Sequence, residues 1–349
     1  MNIHHYFPTS TNIGDWFVRD GIRRAVRQVR PDAGFCDLAV NGPKDAAYPI
    51  GLCDANLQRS LREADLVIVG GSNLYECRSS GRWGVFTDSD SIDRIDVPVV
   101  MIGLGAGSSH RRRRHAPSHR TADEIRRLNA KARASSVRDG LSLRFLKEIG
   151  VDDAVLTGCP ATFLFDRPLA FRSNGLTVVA MPSRDKLKKG VLLRRRLLST
   201  IRDVIVEGRR RGERVVLACH DARDRPAAEA LAGDGAETFC SDKADDYYDL
   251  YERADRVLGF RLHACVICLG LGTPFVPLAF DMRAWAFAET YNAADVMIDA
   301  TGRTVRSDVA DAMAKSHRGD REPLVEYFRL RDAYRRTFED FIAAALADL

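Results

Sequence analysis

Residues 65–72 read DLVIVGGS and residues 97–107 read VPVVMIGLGAG, and these two stretches decide the fold. Each holds a continuous apolar run of strand length instead of an alternating one. That is the pattern of a strand covered on both faces, as in a parallel sheet between layers of helices. Each run ends in glycine: Gly70 and Gly71 before Ser72, then Gly103, Gly105 and Gly107. Glycine at a strand's C-terminal end lets backbone come close to a ligand, and that end is where open α/β sheets bind.

Outward from these runs, strand and helix patterns alternate. The first half predicts a strand over 2–6, a loop over 7–14, a helix over 15–29, a helix over 121–134, a strand over 135–137, a helix over 140–149 and a strand over 154–156. Periodicity lapses in DRPLAFRSNG at 166–175, which reads as a linker. A second series follows, with strands at 176–181, 214–219, 236–240, 256–259 and 275–280. Helices are expected at about 224–231, 245–254, 263–271, 283–291 and 305–316, and a final amphipathic helix over 324–349 closes the chain. We therefore expect an α/β protein of two Rossmann-like domains, residues 1–170 and 171–349, facing each other across a cleft. The length of 349 residues agrees, because single cores stop growing near 250–300 residues.

Composition excludes several classes of function. With 13 Pro, 26 Gly and 45% hydrophobic residues, the chain is neither low-complexity nor collagenous. No run approaches the roughly 18 apolar residues of a membrane span and no signal-peptide layout opens the chain, so a cytoplasmic location is expected. Eight cysteines scattered over the whole length are not a disulfide framework. Cys265 and Cys268 share one face of an apolar helix pattern at 264–271 and read as buried thiols, and no metal site is visible.

The net charge of +5 says less than its distribution. Residues 184–214 carry twelve Lys or Arg against four acids, but Leu193, Leu197, Ile201, Val204 and Ile205 recur there at helical period. The charges are the solvated face of an amphipathic helix, and no nucleic-acid partner is implied. Residues 220–299 reverse the balance, with seven basic and fifteen acidic residues. A second basic cluster, His110–Arg114 with His115, His119 and Arg120, reads as an exposed loop, or as a contact for a lipid-linked acceptor or membrane surface.

Three segments carry chemistry. GLGAGSS lacks the helix-opening spacing of a dinucleotide fingerprint, which argues against NAD and leaves anion contact by backbone N–H groups. In Gly259-Phe260-Arg261-Leu262-His263-Ala264 a strand ends and a long apolar helix begins, placing a guanidinium, an imidazole and a helix N-terminus at one spot suited to anion binding and proton transfer. Ser136-Val137-Arg138-Asp139 is a second strand-to-helix junction, with Asp139 as the expected N-cap. Paired across a cleft, Arg138 and Arg261 would clamp a ligand with two acidic ends.

The chain resembles the polysaccharide pyruvyltransferases over nearly its whole length. The resemblance rests on Asn-x-Gly-Asp at 12–15, the glycine turns after DLVIV and VPVVMIG, the block SVRDGLSLRFLKEIGV at 136–151 and the block LGFRLHACVICLGLGTPFVPLAFD at 258–281. It implies a GT-B-like architecture and transfer of pyruvate from phosphoenolpyruvate to a sugar as a cyclic ketal, with phosphoenolpyruvate as substrate and no cofactor. By the same resemblance Arg261, Leu262 and His263 match the donor-binding and catalytic tract, with His263 as general acid, and Arg138 matches an arginine of the N-terminal domain. Asn12, Gly14 and Asp15 fall where acceptor or catalytic contacts are expected, although Asp15 also suits a helix N-cap. Gly71, Ser72 and Gly105 are expected at the substrate-facing turns. Two departures stand out: Gly158-Cys159-Pro160-Ala161 replaces an Asp-Pro pair, and Ser72 replaces the usual third glycine of its turn. The alternatives are a GT-B glycosyltransferase using a nucleotide sugar, and a non-catalytic binding protein of the same fold.

Overall fold

The computed structural model describes residues 1–8, 11–39, 52, 58–59, 61–77, 79–85, 87–108, 115–317 and 322–349. The cluster at 110–114 lies outside them. The chain forms two compact units, one of Met1–Ser10, Val18–Leu164 and Asp332–Leu349, the other of Thr11–Phe17 and Phe165–Arg331. Relative to a single division at residue 170, three segments fall otherwise: Thr11–Phe17 and residues 165–170 belong to the second unit, and Asp332–Leu349 to the first.

The first unit is built on a parallel six-stranded sheet of β1 (Asn2–Phe7), β2 (Gly34–Ala39), β3 (Leu66–Gly70), β4 (Val99–Leu104), β5 (Ala134–Val137) and β6 (Val155–Leu156), in the order β2-β1-β3-β4-β5-β6. Every residue of β3 and β4 is buried, as their unbroken apolar runs require. Helices α1 (Ile13–Val29), α2 (Ser89–Asp93), α3 (His119–Lys131) and α4 (Gly140–Glu148) accompany the strands. His119 and Arg120 open α3 instead of lying in a loop, and Arg120 pairs with Glu124 one turn on, at 2.9 Å. The C-terminal segment joins this unit through Phe338, whose ring stacks on Phe163 at 5.1 Å. Arg133 also donates to the carbonyl of Ala347 at 2.8 Å.

Strand β2 has no counterpart among the strands expected from sequence. It is an edge strand in which Cys36 and Asp37 are exposed, so no apolar run marks it. Its Asp37 pairs with Arg23 of α1.

Beneath α1, on β1, His5 is fully buried. Burial and the neighbouring Arg23 push its imidazole down to about 3, against a weaker pull from the Gly70 backbone. The folded state therefore accepts His5 only when neutral, while the unfolded chain protonates it near the ordinary value of 6.5. Its stabilising contribution is complete above 6.5 and is lost as the pH falls toward 3, at up to about 1.4 kcal/mol per pH unit. His5→Leu is expected to flatten the fall of the urea midpoint between about pH 6 and 4; parallel wild-type and variant curves would refute this.

The second unit holds another parallel sheet, of β7 (Leu176–Ala180), β8 (Arg214–Ala218), β9 (Glu237–Phe239), β10 (Arg256–Gly259), β11 (Phe275–Ala279) and β12 (Ile298–Asp299), in the order β12-β11-β10-β7-β8-β9. Read from β7, this is the 3-2-1-4-5-6 order of a doubly wound nucleotide-binding fold, so the direction of winding reverses between β7 and β10. Its helices are α5 (Arg184–Leu187), α6 (Val191–Arg210), α7 (Arg225–Ala232), α8 (Ala244–Arg253), α9 (Leu262–Leu271), α10 (Met282–Thr290), α11 (Val305–His317) and α12 (Glu322–Ala345), the last continuing into the first unit. On α6, Leu197, Ile201, Val204 and Ile205 face the core while Arg202, Arg210 and Arg211 pair with surface carboxylates, which is the solvated face expected. Helix α9 is buried from Ala264 to Leu271. Burial pushes the Cys265 thiol up to about 12, the state of an inert core thiol. Among the described residues no helix is long and apolar enough to cross a membrane.

Candidate functional site

In the first unit the loops at the C-terminal ends of β3, β4 and β5 meet over one guanidinium. Gly71 and Ser72 turn the chain after β3 with φ of +80° and +59°. Ser72 is the costlier, since a side chain in the left-handed region is disfavoured. The Ser72 carbonyl accepts from the Gly105 backbone N–H at 2.9 Å, which laces the β3 and β4 loops together. Arg138 follows β5 and lies across Gly105: a Cβ at that glycine would sit 2.4 Å from Arg138 Nε, so only glycine leaves room.

Arg138 is 5% exposed and held from two sides, donating from Nη2 to Asn73 Oδ1 at 2.9 Å and from Nε to Asp139 Oδ2 at 3.3 Å. Asp139 is the N-cap of α4, as expected, accepting from the Ser142 backbone at 2.8 Å. Cys159 is buried close by. Its thiol is pushed up by burial, with Arg138 pulling the other way, so it is no substitute for a standing carboxylate. Gly71, Ser72, Gly105 and Arg138 thus come together, with Asn73 as a partner that the sequence marked only by its place in the turn.

In the second unit the corresponding place is the reversal between β7 and β10. Arg261 follows β10 as the N-cap of α9. Its Nε donates to the carbonyl of Met181, just past β7, at 3.2 Å, so the guanidinium lies in the crevice that the strand order opens. Arg261 is not an open cation awaiting a ligand, however. Its Nη2 pairs with the buried carboxylate of Asp224, which also accepts from the Arg184 backbone at 2.8 Å. Burial raises the Asp224 carboxyl and Arg261 opposes the rise. Neither Arg261 nor Arg138 makes a hydrogen bond from Nη1 among the described residues.

Helix α9 presents Leu262 and His263, both half-buried, in its first turn. The segment Thr11–Phe17 packs here. A Cβ on Gly14 would lie 2.3 Å from His263 Nδ1 and 2.8 Å from its Cβ, so the imidazole rests directly on that glycine's backbone. The Ile13 N–H donates to the His220 carbonyl at 2.9 Å, and Thr11 Oγ1 donates to Asp221 at 2.7 Å. Helix α1 begins at Ile13, which places Asp15 inside its first turn and not at the N-cap. There a carboxylate is favoured by the helix dipole, and Asn12 Nδ2 lies 3.5 Å from it. Asn12, Gly14, Asp15, Arg261, Leu262 and His263 all belong to this unit.

Sequence reading missed His220, Asp221 and Asp224. The available signal was a run of polar residues, CHDARD, directly after the apolar strand β8. His220 is buried, its Nε2 at 2.5 Å from the Tyr251 hydroxyl and the Phe17 ring set edge-on at 5.7 Å. Burial, then Arg261 and His263, hold its imidazole well below 6.5 and hence neutral at pH 7. Among the described residues no group of three or more His, Cys, Asp or Glu side chains is arranged to hold a metal ion.

Two parallel six-stranded Rossmann-like units, each with an arginine where loops meet beyond strand C-termini, define a GT-B-like α/β protein. A sequence model of the polysaccharide pyruvyl transferases matches residues 12–281, and the chain belongs to that family of transferases. Solved structures agree on the fold. S. aureus MnaA with UDP is similar at a TM-score of 0.58 and 13% identity, covering 98% of this chain and 93% of that one. UDP-GlcNAc 2-epimerase from Neisseria meningitidis, bound to UDP-GlcNAc, is similar at 0.54 and 12%, covering 99% and 97%. The 2-epimerase from Rickettsia bellii is similar at 0.53 and 13%, covering 98% and 96%. A search of curated protein sequences finds no match.

Proposed function

We propose that the protein transfers the pyruvyl group of phosphoenolpyruvate to two hydroxyls of a sugar or polyol, forming a cyclic ketal and releasing phosphate. The observation that supports this most is the corner at the winding reversal of the second unit, where Arg261, His263 and the Gly14 turn meet in a member of this family. Phosphoenolpyruvate is a small donor with two anionic groups, a carboxylate and a phosphate. The Nη1 side of Arg261 suits one of its anionic oxygens, the more so because Asp224 and Met181 already fix the plane of the guanidinium. Arg138, braced by Asn73 and Asp139, offers the same recognition in the first unit. The N-terminus of α9, including the Leu262 N–H, favours negative charge beside His263.

In the proposed reaction His263 gives a proton to the methylene carbon, leaving positive character at the carbon that bears the phosphate. The first hydroxyl adds there and its proton passes to Asp15. The bond to phosphate then breaks, and phosphate leaves with that proton. The second hydroxyl closes the ketal and its proton returns to His263. Asn12 orients Asp15, and Gly71, Ser72 and Gly105 form the turns that receive substrate in the first unit. The acceptor includes lipid-linked sugars in this reading, and the protein works in the cytoplasm.

A contact this close makes Gly14 a sensitive position. Gly14→Ala improves the helical preference of α1 but drives a methyl into His263. We expect a folded protein with a lowered melting temperature, because the methyl also meets His263 Cβ, and a turnover reduced by about 100-fold, a loss that a 1 Å misplacement can bring. Wild-type turnover in Gly14→Ala would remove this contact from the mechanism.

A second reading, transfer from a nucleotide sugar, draws support from the nucleotide-binding strand order of the second unit and from the UDP ligands of the similar structures. Calorimetric titration with phosphoenolpyruvate and, separately, with UDP-sugars distinguishes the two. Saturable binding of phosphoenolpyruvate, with phosphate release on adding a polyol acceptor, is expected. Binding of UDP-sugars alone would overturn the pyruvyl reading.

A further inference from the structure

Cys219 and Cys240 directly follow β8 and β9, whose parallel register runs Val216↔Glu237, Leu217↔Thr238 and Ala218↔Phe239. The next pair in that register is Cys219 and Cys240, and register partners in a sheet point to the same face. Both thiols pack against one apolar cluster with Met181 and Leu217, Cys219 buried and Cys240 half-exposed. A regular ladder sets neighbouring strands about 4.8 Å apart. Disulfides span Cα separations of about 4.4–6.8 Å, most often about 5.5–6 Å, so a regular pair is slightly too close.

Here the ladder is opened at this pair. The Cys219 N–H still donates to the Phe239 carbonyl at 2.9 Å. The bond that should follow, from the Ser241 N–H to the Cys219 carbonyl, is replaced by the Tyr247 hydroxyl, which accepts from Ser241 at 3.2 Å and donates to Cys219. The inserted hydroxyl takes the place of a direct ladder bond on the Ser241 side of the pair, where a regular ladder would hold the backbones at their closest.

We propose that Cys219 and Cys240 are a redox site, a dithiol that closes reversibly to a cross-strand disulfide on meeting a small-molecule disulfide. Cys240, the more accessible, loses its proton and attacks one sulfur of the oxidant; that S–S bond breaks, and the released thiolate takes up the proton. Cys219 then loses its proton and attacks the Cys240 sulfur, expelling the second half of the oxidant as a thiol. Two electrons pass from the protein thiols to the oxidant, and two small thiols are released.

Burial pushes Cys219 up to about 12 and Cys240 upward, reinforced at both by Asp224 and at Cys240 also by Asp221 and Asp242. Arg225 opposes at both and Arg261 at Cys219. Thiolate is therefore scarce at neutral pH, and closure quickens as pH rises. Cys219 precedes His220 and the turn whose Asp224 holds Arg261, so the bridge would tether that wall of the corner to β9.

The test incubates the whole protein with glutathione disulfide at mildly alkaline pH, quenches with acid, alkylates, and maps the peptides by mass spectrometry. The expected product joins Cys219 to Cys240 with loss of their two thiol hydrogens, reverts with dithiothreitol and is absent from Cys240→Ser. Exposed Cys36 should carry glutathione in the same sample. Tyr247→Phe, which removes the inserted hydroxyl, should close more slowly. Complete glutathionylation of Cys36 with both Cys219 and Cys240 still alkylated, or a glutathione adduct on Cys240 that never closes, overturns the proposal. Wild-type mapping decides this without any variant.

Discussion

His263→Ala is expected to lower the proposed phosphate release from phosphoenolpyruvate, measured with a saturating polyol acceptor, by about 10²- to 10⁴-fold, the range for losing a positioned general acid. The loss should fall on kcat, because in the proposed reaction the imidazole would act on the donor's methylene carbon while the arginines would hold its anionic oxygens. Unfolding should change little, since His263 is half-buried in the first turn of α9 and rests on a glycine. His263→Gln, which keeps polarity but cannot deliver a proton, should be as slow as the alanine variant. If either folded variant turns over at the wild-type rate, the protonation step belongs to another residue. His220 is a poor substitute, because burial and its cationic neighbours keep it neutral.

Arg261→Ala is expected to cost both activity and stability. Asp224 is 1% exposed and the guanidinium is its charge partner, so removing Arg261 strands a carboxylate in the interior. Breaking a buried pair from one side costs about 3–5 kcal/mol, which should appear as a clear drop in the urea midpoint. Asp224→Asn in the Arg261→Ala background removes the stranded charge and should recover most of that stability. Activity should not return, because in the proposed reaction the donor would have lost its cation. Recovery of both, or of neither, would show that the pair does not divide its roles in this way. Arg261→Lys is a milder probe: a lysine can keep the attraction to Asp224, but it cannot also make the planar contact to Met181.

Much of the fold was legible because the central strands are covered on both faces. DLVIV and VPVVMIG announce β3 and β4 without reference to anything else, and the LGFRLHACVICLGLG run announces β10 and the buried α9. The edges were legible only in part: β6 and β9 were expected, but β2 and β12 were not. Strand β2 mixes Cys36 and Asp37 into its six residues, β12 has only two residues, and α5 has four. Edge and short elements form because neighbours supply partners, so their own sequences need little pattern.

The candidate site divides along the same line. Arg138, Arg261 and His263 could be picked out in sequence because polar residues at strand-to-helix junctions stand against apolar surroundings. Their partners could not. Asn73 braces Arg138 from 65 residues away and Asp224 pairs with Arg261 from 37 away. Gly14 supports a histidine far along the chain.

Sequence alone determined the α/β class and the two successive Rossmann-like series, and it marked candidate side chains at their strand-to-helix junctions. Those properties are local, set by burial pattern along each element and by what each side group can donate or accept. Only the tertiary structure decided that Thr11–Phe17 joins the second unit and that each arginine is already engaged by a neighbour before any ligand arrives. The same holds for the register that brings the residues after β8 and β9 side by side. Those are properties of distance through space. They depend on strand order and register, which follow from how the elements pack, and no periodicity along the chain encodes them.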